Sequence, residues 1–441
     1  MSYACTSNVL SWYSRAPWAI RCDEVAYACE RLADDLVMFR ASGCGEEAAA
    51  LIYNERQPVE ADSVEDVLEK VLSGRIPRLR SDCAPEVKVR DLRVVNSGLR
   101  STVYELELNG APVHLKVMRR LETDNIEHVV LRYLSRAARD LVPQYVCSVT
   151  YDGRLLMLAA EAVDGEPAAT YFVSSAKSRD LSYIRQLSQA IGARVARLHA
   201  ALLGCDEDWC RPEPVSELDV SSWLGRISWR SRWLRDAGAK LVQEGRSLVV
   251  EAADALDELR GAVSNYVDEL VGRTKLRVHG DLHLYQIMVN GGRLVLTDFE
   301  GEPYRMPASK LEKEPLIRDL AALARSIDYA AVMGAQAREG ISVSEASSWL
   351  DGATMDWEVQ AFRLIYDSYV NELLKARSDL AGDVALRLMA FWLVERASYE
   401  AVYEIVARTG YHFVPLNAII RMADGKDPIY NMSLGLRVTR G

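Results

Sequence analysis

The sequence contains no GxxxxGK[ST] phosphate loop, no CxxC pair and no Cys/His set at zinc spacing, which removes P-loop chemistry and a structural zinc site from the options. No apolar run approaches the ~18–20 residues that cross a bilayer. The opening stretch MSYACTSNVLSWYSRAPW lacks the basic-then-apolar order of a signal peptide, so a cytoplasmic protein is the expectation. Basic residues are in deficit. The 53 Lys+Arg against 63 Asp+Glu leave a net charge of −10, which argues against nucleic acid and anionic membrane surfaces as partners. No internal repeat or low-complexity tract occurs. The eight cysteines, Cys5, Cys22, Cys29, Cys44, Cys83, Cys147, Cys205 and Cys210, are read by default as reduced thiols. A Cys205–Cys210 bridge, or a hyperthermophile-type disulfide among the five in the first 83 residues, stays open.

The chain has 441 residues, enough for two or three units or one bilobal enzyme. Residues 1–75 read as mostly helical, on the apolar spacing of CDEVAYACERLADDLVMF and SVEDVLEKVL. SGRIPRLRSDCAPE at 73–86 reads as a linker. The pattern then changes. VKVRDLRVVN, TVYELELNG and PVHLKVMRR are short and rich in β-branched residues, and Asn109-Gly110 is a good hairpin turn. A helix at 125–138 and strands near 144–150 and 154–161 complete an antiparallel sheet with one helix. From about 180 the chain is dominantly helical, with helices expected at 181–203, 240–272, 316–335, 345–378 and 382–408. KLRVHG and RLVLTD interrupt them as two short strands around a loop. The domain reading is a helical segment over 1–85, a β-rich lobe over 86–165, and a mainly helical lobe over 166–441 that carries that loop.

That loop holds the chemistry. Asp281 follows His279-Gly280, Gln286 comes five residues later, and Asp298 opens Asp298-Phe299-Glu300. The spacing is that of the kinase pattern HRDxxxxN…DFG. An aspartate must accept the proton of an attacking hydroxyl. A side-chain oxygen shortly after it, and a second aspartate from the returning strand, must reach magnesium on the phosphates of ATP. Asp281 is thus the candidate base, with Gln286 and Asp298 as metal ligands. A kinase also needs a lysine on the third strand of its small lobe, and Lys116 in VHLKV is the candidate. Its acidic partner should come from the next helix, with Glu127 the first choice and Glu122 behind it. The turn Asn96-Ser97-Gly98-Leu99-Arg100-Ser101-Thr102 lacks GxGxxG, but Ser97, Gly98 and Ser101 are small enough for close approach to phosphate. Adenine is placed at Ala160-Glu161-Ala162-Val163, through the backbones of Glu161 and Val163. His279 and His283 are expected to hold the loop by hydrogen bonds, and Arg318 and Asp319 to brace it.

HGDLHLYQ, LTDFEGEPYR and PLIRDLAALARSIDYAA resemble the maltokinase family and the related kinase module fused to trehalose synthases. So do LKVMRRLE, IGARVARLHAAL and FWLVERASYEAVYEIVARTGYHFVPL, and the likeness extends over residues 90–420. The resemblance implies an α+β, bilobal protein-kinase-like fold of the aminoglycoside-phosphotransferase branch with an additional N-terminal segment. It implies ATP and Mg2+ as cofactors and a small-molecule sugar as partner: maltose, giving maltose 1-phosphate, with glucosamine, another small sugar or an aminoglycoside as the alternative. A nucleotide-binding pseudokinase scaffold is the contrasting class. The sequence departs from the family where its helix glutamate falls on Val129, its late tryptophan on Tyr411, a proline on Thr409 and a glycine on Tyr285.

The acceptor side is read on the 392–408 helix, where Arg396, Glu400, Glu404 and Arg408 form one stripe and Glu395, Tyr399 and Tyr403 the next. Planar charged groups suit sugar hydroxyls and rings suit C–H faces; a solvated face of i,i+4 pairs is the plainer reading. Glu300, Glu302, Arg305, Arg396, Tyr399, Glu400, Tyr403, Arg408 and Tyr411 are the acceptor candidates. The run from Trp223 to Arg235 interleaves aromatic and basic residues, and its helical spacing favours an amphipathic helix on the core over single-stranded nucleic acid binding.

Overall fold

The computed structural model describes residues 2–16, 18–22, 24–54, 57–59, 65–305 and 309–436. The chain divides into two compact units, one of residues 1–164 with 305–310, the other of 165–304 with 311–441.

The first unit begins with helix α1 (Ser7–Arg15) and strands β1 (Ala26–Ala33), β2 (Leu36–Gly43) and β3 (Glu46–Tyr53). These three form the body of a five-stranded antiparallel sheet edged by the pairs Ser2–Tyr3 and Gln57–Pro58. The helix expected over 22–39 is therefore a hairpin. Val37, Phe39, Ala41, Ala48, Ala50 and Ile52 face α1, with its Val9 and Tyr13, while Leu36, Met38, Ala49 and Leu51 face the opposite core. A strand buried on both sides loses its polar/apolar alternation, and its continuous apolar run fits a helix equally well. Cys44 (φ 51°) and Gly45 (φ 77°) close the β2–β3 turn, the two positive-φ positions that a two-residue hairpin favours.

Helix α2 (Glu65–Leu72) agrees with SVEDVLEKVL, but the segment after it is no free linker. Strand β4 (Leu79–Ser81) is the edge of a six-stranded sheet. It continues with β5 (Val89–Ser97), β6 (Ser101–Leu108), β7 (Ala111–Met118), helix α3 (Glu127–Ala137), β8 (Tyr145–Tyr151) and β9 (Arg154–Glu161), in the order β4-β8-β9-β7-β6-β5. Asn109 and Gly110 make the expected turn, both at positive φ. Lys116 lies in the interior of this sheet, between Val103 and Leu158. Residues 1–85 share one core with 86–164, so they are not a separate body.

The second unit holds helices α4 (Ala168–Ser178), α5 (Arg185–Leu203), α6 (Glu217–Trp233) and α7 (Arg246–Asp268), then hairpin β10 (Ile287–Asn290) and β11 (Arg293–Leu296). It continues with α8 (Ile317–Glu339), α9 (Gly352–Ala376), α10 (Met389–Ala407), α11 (Phe413–Ala423) and α12 (Pro428–Ser433). α10 is buried nearly all round, so the solvated-face reading of its charged stripe fails. In α6, Trp223 is buried against Trp392, as an amphipathic core helix requires, although Trp229 is exposed. No described helix is long and apolar enough to cross a membrane.

All eight cysteines pair, as Cys5–Cys29, Cys22–Cys44, Cys83–Cys147 and Cys205–Cys210, which corrects the reduced-thiol expectation. Three of the bridges staple the first unit. Loop-closure entropy makes the long bridge count most. Replacing Cys83 and Cys147 (64 apart) by serine should cost about 4 kcal/mol, against about 2 kcal/mol for Cys205 and Cys210 (5 apart). Thermal melts of both double variants with and without reductant check this; equal losses would count against it.

Candidate active site

In the first unit, Lys116 Nζ lies 2.9 Å from Glu127 Oε2. Glu127 is the first residue of α3, where a helix N-terminus favours negative charge. Its own N–H donates to Asn125 Oδ1 at 3.1 Å. The lysine's acidic partner is thus Glu127, and Val129 plays no such part. Glu122 serves elsewhere: it takes Lys310 Nζ at 2.6 Å and Arg100 from the β5–β6 turn. In that turn the N–H of Gly98 donates to the Ser101 carbonyl, and the Ser97 and Thr102 hydroxyls lie 3.4 Å apart. The turn therefore spends the Gly98 donor on itself. At the end of β9 the N–H of Glu161 donates to Gln144 O and that of Ala162 to Pro112 O. These bonds engage the N–H groups of Glu161 and Ala162, so a hinge there would use the Glu161 carbonyl and the Val163 backbone.

In the second unit the loop at 279–286 is fixed by a buried carboxylate on α8. Asp319 Oδ2 accepts the N–H of His279 at 2.8 Å, and Oδ1 accepts that of Gly280 at 3.0 Å. His199 of α5 lies 3.0 Å from Oδ2 through Nε2, with Nδ1 at 2.8 Å from the Tyr369 hydroxyl. Burial works to raise the Asp319 pKa, but the His199 hydrogen bond and charge outweigh it, and the carboxylate is held below its ordinary range. Arg318 NH1 donates to the Gly280 carbonyl at 2.6 Å. His279 Nε2 lies 2.9 Å from Thr297 O, and burial keeps its ring below the ordinary pKa and neutral. These histidines, with Arg318 and Asp319, are braces.

Asp281 is buried at the wall of a 390 Å³ cavity. Its Oδ1 meets Arg396 NH1 at 2.8 Å, yet no aligned hydrogen bond reaches that oxygen. Gln286 Nε2 donates to Asp298 Oδ2 at 2.9 Å, and Asp298 sits in the left-handed region at φ 64°. Turning the amide by 180° would put Oε1 where Nε2 lies, giving two hard oxygens side by side; the donor set fits magnesium.

The cavity brings together Asp281, Arg396, Tyr399, Glu400, Tyr403 and Tyr411 of the expected residues. Tyr399 and Tyr403 stack, and the Arg396 guanidinium lies 5.1 Å over the Tyr399 ring. Arg396 Nε donates to Glu400 Oε1 at 3.0 Å, and Arg325 Nε to Oε2 at 2.9 Å. Glu404 accepts the Tyr329 hydroxyl at 2.9 Å and the Thr409 hydroxyl, and burial raises its pKa. Four expected acceptor residues are not among the cavity walls. Glu300 and Glu302 are buried, Glu302 directly behind the wall residue Arg396; Arg305 falls in the first unit, and Arg408 is an exposed helix C-cap at φ 54°. The helical stripe predicts Arg408 inward, but the helix ends there and the left-handed cap turns it out. His283, Tyr285, Ser326, Tyr329, Glu404 and Thr409 also line it, with apolar side chains such as Val173, Leu284 and Met333 between them. Tyr329 and Ser326 lie inside the RSIDYAA motif, and Glu404 on the charged stripe; that motif and stripe are the available signals.

Replacing Asp319 by Asn should cost roughly 1–3 kcal/mol for each loop N–H left without an acceptor. The folded Asp319 pKa lies below the unfolded one. Its contribution is therefore full above the ordinary aspartate range and lost as pH falls through the folded value. Calorimetry from pH 7 to 3 should show the variant less stable at pH 7 and lacking that acid-side loss; melting curves that fall in parallel would contradict it.

Residues 91–301 match the model of the phosphotransferase enzyme family. The glucosamine kinase of Mycolicibacterium smegmatis (strain ATCC 700084 / mc(2)155) is 30% identical over 186 residues, 41% of this chain and 42% of that protein. The glucosamine kinase of Streptacidiphilus jiangxiensis is 25% identical over 190 residues, 43% of this chain and 39% of that protein. The chain thus spans about two fifths of the curated relatives it matches. A solved glucosamine kinase in complex with glucosamine, ADP and inorganic phosphate superposes with a TM-score of 0.67 at 17% identity, covering 94% of this chain and 97% of that one. The likeness establishes the fold: α+β, of the aminoglycoside-phosphotransferase and protein-kinase-like class, with the matched stretch running from before Lys116 to just past Glu300.

Proposed function

We propose that this chain transfers the γ-phosphate of ATP to a hydroxyl of a small sugar. The observation that carries the reading is the Asp281 carboxylate oxygen, which has no aligned partner and lies at a cavity walled by stacked tyrosines, carboxylates and one arginine. A sugar bound there offers a hydroxyl to Asp281 Oδ1. As the sugar oxygen bonds to the γ-phosphorus, the bond from that phosphorus to the β-bridging oxygen breaks, ADP leaves, and the hydroxyl proton passes to Asp281. Lys116, oriented by Glu127, holds the α- and β-phosphates, beside the turn of Ser97, Gly98 and Ser101. Gln286 and Asp298 hold magnesium, which when bound neutralises phosphate charge. Tyr399, Tyr403 and Tyr411 offer faces to the sugar ring, and Arg396 and Glu400 its polar contacts.

Two acceptors are in view. The GEPYR segment and the α10 motif favour maltose, by resemblance. Glucosamine is the second reading, supported by the names of the relatives and by Glu404, whose hydrogen-bond donors are the neutral hydroxyls of Tyr329 and Thr409. An ammonium group would supply the missing charge. The made Lys116–Glu127 pair removes the main support for a pseudokinase. A cytoplasmic location accords with ATP use, and intracellular disulfides of the hyperthermophile kind reconcile it with eight paired cysteines.

Mg-ATP consumption against maltose, glucosamine, glucose and an aminoglycoside, with the product phosphate located, tests the reading. Turnover should require a sugar, and Asp281→Asn should lower kcat by about 10²–10⁴-fold. Nucleotide binding without transfer to any sugar, unchanged by that substitution, would overturn it in favour of the scaffold.

A further inference from the structure

Glu302 is one of the expected acceptor residues, yet it is fully buried (0% exposed) and absent from the cavity walls. Its Oε1 accepts Arg396 NH1 at 2.7 Å and lies 2.8 Å from Arg318 NH2. Each of those arginines touches the loop that carries Asp281. Arg318 NH1 donates to the carbonyl of Gly280, and Arg396 NH1 lies 2.8 Å from Asp281 Oδ1. One buried anion therefore stands behind two cations that contact consecutive residues of the loop.

The geometry of Arg396 NH1 decides what this arrangement does. The nitrogen is nearly equidistant from two carboxylates, 2.7 Å from Glu302 and 2.8 Å from Asp281. Only the Glu302 contact has hydrogen-bond alignment; Asp281 Oδ1 has no aligned donor. The two carboxylates compete for one guanidinium edge, and Glu302 holds the better angle. With its Nε on Glu400, Arg396 is pinned at two points and cannot turn its NH1 fully onto Asp281.

We infer that Glu302 is a positioning residue that keeps Arg396 from capping Asp281, so that the Asp281 oxygen stays open to a substrate hydroxyl. A charged partner close to Asp281 holds its charge in place, but an aligned hydrogen bond from that partner would occupy the lone pair needed for the proton and weaken the base. Removing the Glu302 charge frees NH1 to swing onto Asp281. Arg318 then also loses a carboxylate, though it keeps Glu314, 2.9 Å from its Nε.

This inference rests on the sugar-kinase reading, so its test is built with one arm that does not need turnover. Glu302→Gln keeps the shape and removes the charge. In the active enzyme kcat should fall about tenfold or more, a part of what a general base is worth. KM for ATP and for the sugar should stay within about threefold, since neither is bound by Glu302. A crystal structure of the variant should show Arg396 NH1 hydrogen-bonded in line with Asp281 Oδ1. An unchanged kcat with only a lowered Tm would reduce Glu302 to a structural residue. A tenfold rise in the sugar KM at constant kcat would make it an acceptor contact instead. If the wild type phosphorylates no sugar, the functional reading fails by itself. The crystal structure still decides the geometry: Arg396 unmoved, with NH1 still on the amide oxygen that the Glu302→Gln change introduces, would overturn the inference.

Discussion

The loop that carries Asp281 depends on the Asp319 carboxylate. A loop at the floor of a cavity cannot satisfy its own backbone, and a buried N–H without an acceptor costs as much as a lost hydrogen bond. Asp319 meets that demand for His279 and Gly280 together and is itself held by His199. Arg318, its neighbour on α8, takes the Gly280 carbonyl. Helix α8 thus sets the loop's position before any chemistry begins, and the loop sets where Asp281 and Gln286 point. Everything proposed for catalysis assumes that this buried anchor is intact.

A second constraint is charge. The second unit buries a chain of alternating charges in which Arg396 meets Glu302, Glu302 meets Arg318, Arg318 meets Glu314, Glu314 meets Arg226, and Arg226 meets Glu395 with Arg230 behind it. Such pairs are poor sources of stability, because desolvation offsets most of their attraction. Their use is orientation: guanidinium planes tied at two or three points cannot wander. The cavity inherits its polarity from where this chain surfaces, at Arg396, and from Glu400, shared with Arg325.

Local spacing makes part of this legible in the sequence. Asp281, Gln286 and Asp298 lie within one short loop and hairpin, so spacing alone carries their geometry. Strands β5 to β9 are marked by composition and by Asn109-Gly110. Other features depend on partners distant in sequence. Whether Glu127 or Val129 faces Lys116 turns on the phase of α3, which a two-residue shift reverses. Buried Glu302 and exposed Arg408 look alike in sequence because a charged residue type reveals neither its partners nor where a helix ends. Strands β2 and β3 are buried on both faces, which erases the strand period there and lets the region read as helix. The full disulfide pattern is out of reach, since eight cysteines admit on the order of 100 connectivities; only the local Cys205–Cys210 bridge is suggested by proximity in sequence.

The return of residues 305–310 to the first unit has a consequence for how the molecule can be cut. The chain leaves the first unit at Gly165, comes back after Tyr304, and departs again at Leu311. Lys310, buried on Glu122 beside Arg100, belongs to a body whose other residues end at Asp164. Neither unit is one continuous stretch, so a chain cut at Gly165 would leave a first unit whose Glu122 lacks Lys310, one of its two cations.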